Sequence, residues 1–157
     1  MRQVLVTGLL VSSLLLPAPA AWARYDAASG TPAVAERLGR ARDAIQANDF
    51  SNALAELQEA VLDEPANPDV HNLLAYAFRK QPQPDLPKAF AHYRQALRLD
   101  PGHRAAHEYI GEAYLMDQKP TQARVHLATL EKLYGNRTCV EYLELARAIE
   151  DYERKRK

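Results

Sequence analysis

The sequence predicts an all-α protein, an α–α superhelix (solenoid) of about three helix pairs followed by a C-terminal capping helix. Apolar residues recur at helical spacing along nearly all of the chain from Pro32 onward, and no run of alternating β-branched residues is long enough to indicate a strand. Turn-forming residues interrupt this pattern, and the interruptions repeat with a period of 34 to 36 residues. A period near 34 made of two helices is typical of stacked helix-turn-helix repeats.

The first 23 residues are typical of an export signal. Arg2 supplies a positive charge, residues 4–16 are mostly apolar, and Ala21-Trp22-Ala23 fits a small-x-small cleavage site, so we expect cleavage after Ala23. The apolar run of roughly a dozen residues is shorter than the ~20 that a membrane-spanning helix needs. We therefore expect a signal peptide over 1–23, no membrane span in the mature protein, and a location in the periplasm or outside the cell.

The rest of the chain divides into a leader, a repeat domain and a basic tail. Residues 24–32 have little apolar pattern and are predicted to be a flexible leader. The basic end of the chain, residues 155–157 included, suits the negative end of a helix dipole. Turn residues divide the domain at 33–154 into seven predicted helices: 33–47, 51–63, 69–80, 86–99, 103–116, 120–134 and 138–154.

Corresponding residues recur from one helix pair to the next. Small residues open the second helix of each pair, with separations of 36 and 34 residues: Ala53, Ala89 and Ala123. Residues that close each pair have the same separations: Pro65, Pro101 and Gly135. The two additional residues of the middle repeat are placed in its inner turn, 81–87, because loops tolerate insertions. The predicted repeats are 34–67, 68–103 and 104–137, with a capping helix at 138–154.

This pattern resembles the tetratricopeptide repeat, whose signature positions hold Trp, Leu, Gly, Tyr, Ala, Phe, Ala and Pro. The third repeat matches most closely, with these residues in the eight places: His107, Ile110, Gly111, Tyr114, Ala123, Leu127, Leu130 and Gly135. The second repeat offers His71, Leu74, Ala75, Phe78, Ala89, Tyr93, Ala96 and Pro101. The first repeat departs from the pattern, since Arg37 and Arg40 replace apolar residues, as expected of a terminal cap. The resemblance implies a binding module for another protein.

Small residues in the signature have a physical role that does not depend on the family. Gly111 and Ala75 are expected to lie where the two helices of a pair cross, because small side chains let helix axes approach. A larger residue at Gly111 should therefore overpack the crossing.

The charge balance argues against a nucleic-acid partner. The chain has 20 basic and 20 acidic side chains and therefore no net charge to attract phosphates. We expect a protein or peptide as the partner.

No catalytic constellation is present in the sequence, and we expect neither an enzyme nor a cofactor. A Gly-rich phosphate loop and a Gly-x-Ser-x-Gly elbow are both missing. His103 and His107, four residues apart, are a weak metal or haem candidate, because two ligands leave a metal under-coordinated. Glu108 and Glu112 are interpreted as a solvated or groove-lining face.

The first helices of stacked pairs line the concave side, which predicts where a partner binds. By register, the groove residues are a mixture of aromatic, basic and acidic side chains: Arg42, Asn72, Tyr76, Arg79, Lys80, Glu108, Tyr109 and Glu112. Tyr and Arg are common interface anchors.

Three roles remain open at this point, one of which is a metal- or haem-handling protein that uses His103 and His107. The first is a periplasmic scaffold or assembly factor that holds a protein segment in the groove. The second is a structural or homodimeric subunit that docks through the last helix, along the stripe of Cys139, Tyr142, Leu143, Ala146 and Ile149. Cys139 is the only cysteine, so an internal disulfide is excluded, and we expect it on the buried apolar face of that helix.

Overall fold

A computed structural model describes residues 33–156, and every regular element within them is an α-helix. The helices are α1 (Val34–Gln46), α2 (Phe50–Asp63), α3 (Pro68–Lys80), α4 (Leu86–Leu99), α5 (Arg104–Met116), α6 (Pro120–Tyr134) and α7 (Val140–Arg154). The predicted bounds agree to within two residues, and the all-α superhelix is confirmed. The predicted signal peptide 1–23 and the predicted leader 24–32 lie outside the described residues. Of the predicted basic tail 155–157, only Lys157 lies outside them.

The helix ends form where the sequence places capping residues. Asp49, Asn67 and Asp85 begin α2, α3 and α4, and each side chain accepts a hydrogen bond from a backbone N–H of the first turn. Gly135 ends α6 with φ of 69°, a left-handed conformation that favours glycine. This conformation explains why the third repeat closes with glycine where the others use proline.

The first helices of successive pairs contact one another and form one side of the solenoid. Beyond the contacts between neighbours in sequence, α1 packs on α3, α3 on α5, and α5 on α7. One apolar cluster extends from α1 to α5 and a second from α5 to α7, with Tyr114 packed against both. Helix α5 therefore joins the two parts of the core.

The first repeat has ion pairs between its two helices in addition to apolar packing. Arg40 donates to both carboxylate oxygens of Glu56, over 2.9 and 3.0 Å, and Arg37 also lies 3.5 Å from Glu56. The hydrogen bond from Arg40 lowers the pKa of the Glu56 carboxyl. These contacts explain how α1 tolerates arginine at positions that are apolar in the resembled family.

The close approach at Gly111 involves a different helix from the one expected. A Cβ added there would lie 2.6 and 2.7 Å from the two terminal carbons of Leu145, which is on α7 and not on the paired helix α6. Leu145 is fully buried. Glycine at this position therefore allows the capping helix to pack against α5.

Two histidine pairs recur in consecutive repeats. The Nδ1 atoms of His71 and His92 are 3.0 Å apart, and those of His107 and His126 are 2.9 Å apart. In each pair the histidine on the first helix also contacts a carbonyl oxygen through Nε2, at Pro65 (2.9 Å) and Pro101 (3.0 Å) respectively.

The carbonyl contacts determine the tautomers of the neutral rings. A carbonyl only accepts, so Nε2 of His71 and of His107 donates, and their Nδ1 atoms must accept. His92 and His126 therefore donate from Nδ1. Each pair joins the two helices of its repeat, and a second proton, placed on Nδ1 of His71 or His107, would set two N–H groups against each other.

Acid should weaken the domain through His126. Burial lowers the pKa of His126 to about 4, with the charge of His107 acting in the same direction. The unfolded ring accepts a proton near pH 6.5, so stability from the neutral ring is complete above that pH and declines as the pH falls toward the folded pKa. Between pH 7.5 and pH 5 we expect a loss of about 1–2 kcal/mol from this residue. Urea unfolding at the two pH values measures it.

The control is His126→Asn, whose amide can donate where Nδ1 does but does not titrate. The two proteins should differ less in free energy of unfolding at pH 5 than at pH 7.5. The contributions of the carboxylates are the same in both proteins and cancel in this comparison. Equal pH dependence in the two proteins contradicts the lowered pKa of His126.

Candidate binding groove

The inner surface formed by α1, α3 and α5 contains a cleft of about 170 Å³. Its lining combines apolar stems with aromatic rings and one guanidinium: Arg42, Ile45, Gln46, Leu73, Tyr76 and Tyr109. Three of the predicted groove residues, Arg42, Tyr76 and Tyr109, thus come together in one cleft. Gln46 was missed by the sequence reasoning, although the repeat register places it one turn beyond Arg42 on the same helix face.

The two tyrosines of the cleft form one aromatic unit with Arg79. The rings of Tyr76 and Tyr109 lie 4.9 Å apart at 59°. The guanidinium carbon of Arg79 is 5.2 Å from the first ring centroid and 5.7 Å from the second, within range for cation–π attraction. Lys80, which is exposed, has its ammonium 6.0 Å from the Tyr76 ring. These contacts hold the rings in place before any partner arrives.

Arg79 is a buried residue and not the exposed anchor that the sequence predicted. Only 4 % of it is exposed. Its Nη1 lies 2.6 Å from Glu112, and its Nε donates to the hydroxyl of Tyr93 over 3.2 Å. Contacts with Tyr93 on α4 and Glu112 on α5 hold the guanidinium between the helices.

Glu108 and Asn72 occupy equivalent places in consecutive repeats, and both are buried, with exposed fractions of 8 % and 5 %. Of the two interpretations of Glu108, a solvated or a groove-lining face, burial excludes the solvated one. The side-chain oxygen of Asn72 has no hydrogen-bond partner within residues 33–156. Burial, and then the charges of Glu112 and Glu141, raise the pKa of Glu108 to about 8.

His103 and His107 have different neighbours and do not converge on one point. His103 caps α5 by accepting from the Ala106 N–H, and its Nε2 lies 3.0 Å from Asp69. Both ring nitrogens of His107 are engaged, by His126 and by the Pro101 carbonyl. Within residues 33–156, no group of three or more His, Cys, Asp or Glu side chains is arranged to hold a metal ion.

The predicted stripe on α7 divides between two faces. Cys139 precedes the helix at its N-cap position and is half-buried, so its expected place on the buried apolar face is wrong. Ile149 faces the core, whereas Leu143 is 47 % exposed and Val140 69 % exposed. Helix α7 therefore presents a small apolar surface.

No helix in residues 33–156 has the length and hydropathy needed to cross a membrane.

Stacked helix pairs with a preordered inner cleft define the class of helical repeat proteins that bind along one face. The profile of the tetratricopeptide repeat matches residues 38–102 and 83–134. The chain belongs to the tetratricopeptide repeat family, as the sequence predicted.

Solved structures share the fold at low sequence identity. The type III secretion translocator chaperone SycD of Yersinia enterocolitica is 14 % identical, with a TM-score of 0.67 over 79 % of this chain and 94 % of that one. The tetratricopeptide repeat domain of Sgt2 from Aspergillus fumigatus is 22 % identical, with a TM-score of 0.68 over 80 % of each chain. No curated protein sequence matches the chain.

Proposed function

We propose that this protein is a periplasmic, non-catalytic scaffold or assembly factor that holds a segment of another protein in its inner cleft. The observation that carries the proposal is the preordered unit of Tyr76, Tyr109 and Arg79 beside an open cleft. Rigid aromatic rings lose little conformational entropy on binding, which makes them effective anchors. Export rests on the signal-like sequence at 1–23.

The absence of catalysis is part of the proposal. Within residues 33–156, the histidines are engaged in helix capping and in the two pairs, and Cys139 is a free, half-buried thiol. A holding role needs only the shape and chemistry of the cleft.

A second role is favoured by the exposed apolar residues of α7. Leu143 and Val140 lie on the outer side of the capping helix, where a second copy of the chain can dock. SycD has been crystallised as an alternative dimer, which is a property of that protein. We propose self-association through α7 as the alternative to partner binding in the cleft.

Photo-crosslinking in the source cells tests both roles. A benzoylphenylalanine introduced at Gln46, on the rim of the cleft, should join the protein to a different polypeptide. The same residue at Gln58, exposed on α2, is the matched control and should give no adduct. At Leu143 an adduct of twice the chain mass supports the alternative.

Tyr76→Ala should suppress the Gln46 adduct, because it removes one of the two ring anchors. Identical adducts from Gln46 and Gln58 contradict binding in the cleft. An adduct at Leu143 alone favours self-association over the scaffold role.

A further inference from the structure

The cleft formed by α1, α3 and α5 is mainly apolar and aromatic. Among the described residues of its lining only Arg42 is charged, and four others are half-buried apolar or aromatic side chains: Ile45, Leu73, Tyr76 and Tyr109. The volume of the cleft is about 170 Å³. An apolar cavity of about 150 Å³ accommodates a benzene ring. The cleft therefore has room for one large apolar side chain of a partner.

Two exposed cations adjoin this cleft, Arg42 and Lys80, which we call the rim cations. Arg42 lines the cleft directly, and the ammonium of Lys80 lies 6.0 Å from the centroid of the Tyr76 ring. The ion pairs formed within residues 33–156 engage neither of them. Arg79, in contrast, is buried and already paired with Glu112. A partner can therefore supply the counter-ion of the rim cations.

The described acids of α1, α3 and α5 leave the rim cations unpaired. Glu36 and Asp69 lie in the first turns of α1 and α3, whereas the rim cations belong to later turns. Asp43 lines a separate cleft between α1 and α2. On α5, Glu112 is in an ion pair, and Glu108 is 8 % exposed with a pKa that burial raises to about 8, so that most of it is uncharged at pH 7. An acidic group of a partner thus meets little competition here.

We propose that this cleft recognises two side chains of the bound protein segment, a large apolar one and an acidic one. The apolar side chain packs against Tyr76 and Tyr109, and the aspartate or glutamate carboxylate pairs with the rim cations. An extended segment rises about 3.3 Å per residue, so the acid should lie within about two residues of the apolar anchor. The inference rests on the proposed function, because it describes the segment held in the same cleft.

Selection of displayed peptides on the whole chain tests the inference. Random 12-residue peptides at the amino end of a phage coat protein have no free carboxyl terminus, so any acid that is selected is a side chain. They are selected on the wild type and on the double variant Arg42→Glu/Lys80→Glu. The control is Arg98→Glu/Lys132→Glu, which makes the same change of net charge at exposed residues of α4 and α6. The wild type and the control should enrich Asp or Glu beside a large apolar residue, and the first double variant should enrich Lys or Arg instead.

A synthetic copy of one selected peptide, amidated at its carboxyl terminus, provides a second measurement. In fluorescence anisotropy, Arg42→Gln should weaken its binding about fivefold, a size typical of an exposed ion pair. Replacing the acid of the peptide by its amide should remove this effect, whereas Tyr76→Ala should weaken the acid and amide peptides equally. Circular dichroism checks that each variant is folded, as expected for changes at the exposed rim cations.

The outcomes separate this inference from the proposed function. A lack of acidic enrichment on the wild type, or the same enrichment on Arg42→Glu/Lys80→Glu, overturns the inference and leaves the groove function intact. Equal binding of the acid and amide peptides to the wild type does the same. Failure to select any peptide on the wild type overturns the proposed function itself.

Discussion

Gly111→Leu is expected to lower the free energy of unfolding by about 3 kcal/mol. The first carbon of the new side chain would lie 2.6 Å from Leu145. Leu145 is fully buried in the apolar cluster that contains Leu115, Leu130 and Ile149, so moving it must disturb this close packing. The helix gains about 0.8 kcal/mol when leucine replaces glycine, but this gain is smaller than the cost of overpacking.

Thermal unfolding measures this loss as a melting temperature about 10 °C below that of the wild type. Hydrogen exchange should place the damage in α5–α7, because Gly111 and Leu145 join those helices. Stability in a stacked repeat protein depends on contacts between neighbours, so α1–α3 should keep more of their protection.

Gly39→Leu is the matched control. Gly39 lies inside α1, and a Cβ added there meets no atom within 4 Å. The same substitution should stabilise the protein by about 0.5–1 kcal/mol through helix propensity alone. If both variants shift the melting temperature in the same direction, the α5–α7 contact is not as close as the structure places it.

The helix bounds were predictable because they depend on local chemistry. Three helices are capped by side chains that accept hydrogen bonds from N–H groups within four residues, those of Asp49, Asn67 and Asp85. Gly135 ends α6 through its own left-handed conformation. The periodic spacing of Ala53, Ala89 and Ala123 then gave the repeat. These signals extend over a few residues and survive in a single sequence.

Burial on the inner surface was not predictable in the same way. The register correctly placed Arg79 and Glu108 on the first helices, but their exposure depends on how closely the next first helix approaches. That approach is controlled by small residues elsewhere, such as Gly111 against Leu145. Periodicity gives the direction of a side chain along one helix and not its distance from another helix.

The histidine pairs could have been predicted from the spacing of histidines in the sequence. His71 and His107 are 36 residues apart, and His92 and His126 are 34 apart, the same separations as the repeat itself. A pair of residue types that recurs with the repeat period indicates a contact made in each repeat. The paired histidines are 21 positions apart in one repeat and 19 in the next, and they lie on different helices. The periodicity of a single helix therefore does not predict their contact.

Arg79→Met is expected to cost about 3 kcal/mol of the free energy of unfolding. Methionine retains much of the apolar stem, so the loss reports the guanidinium. Without it, Glu112 loses an ion pair of 2.6 Å, the Tyr93 hydroxyl loses a donor, and no cation remains to moderate Glu108. Urea unfolding at pH 7.5 measures the change, and Arg42→Met, at an exposed arginine of the same groove, should alter stability by less than about 0.5 kcal/mol.

A double-mutant cycle separates the ion pair from the packing. Glu112→Gln removes the carboxylate that Arg79 contacts, so adding Arg79→Met to it should cost about 1–2 kcal/mol less than in the wild type. The remainder measures the contacts with Tyr76, Tyr109 and Tyr93. If the two changes are additive, the guanidinium of Arg79 stabilises the inner surface through Tyr93 and the aromatic rings and not through Glu112. A coupling of the expected size means that the ion pair between Arg79 and Glu112 itself stabilises the packing of α3 against α5.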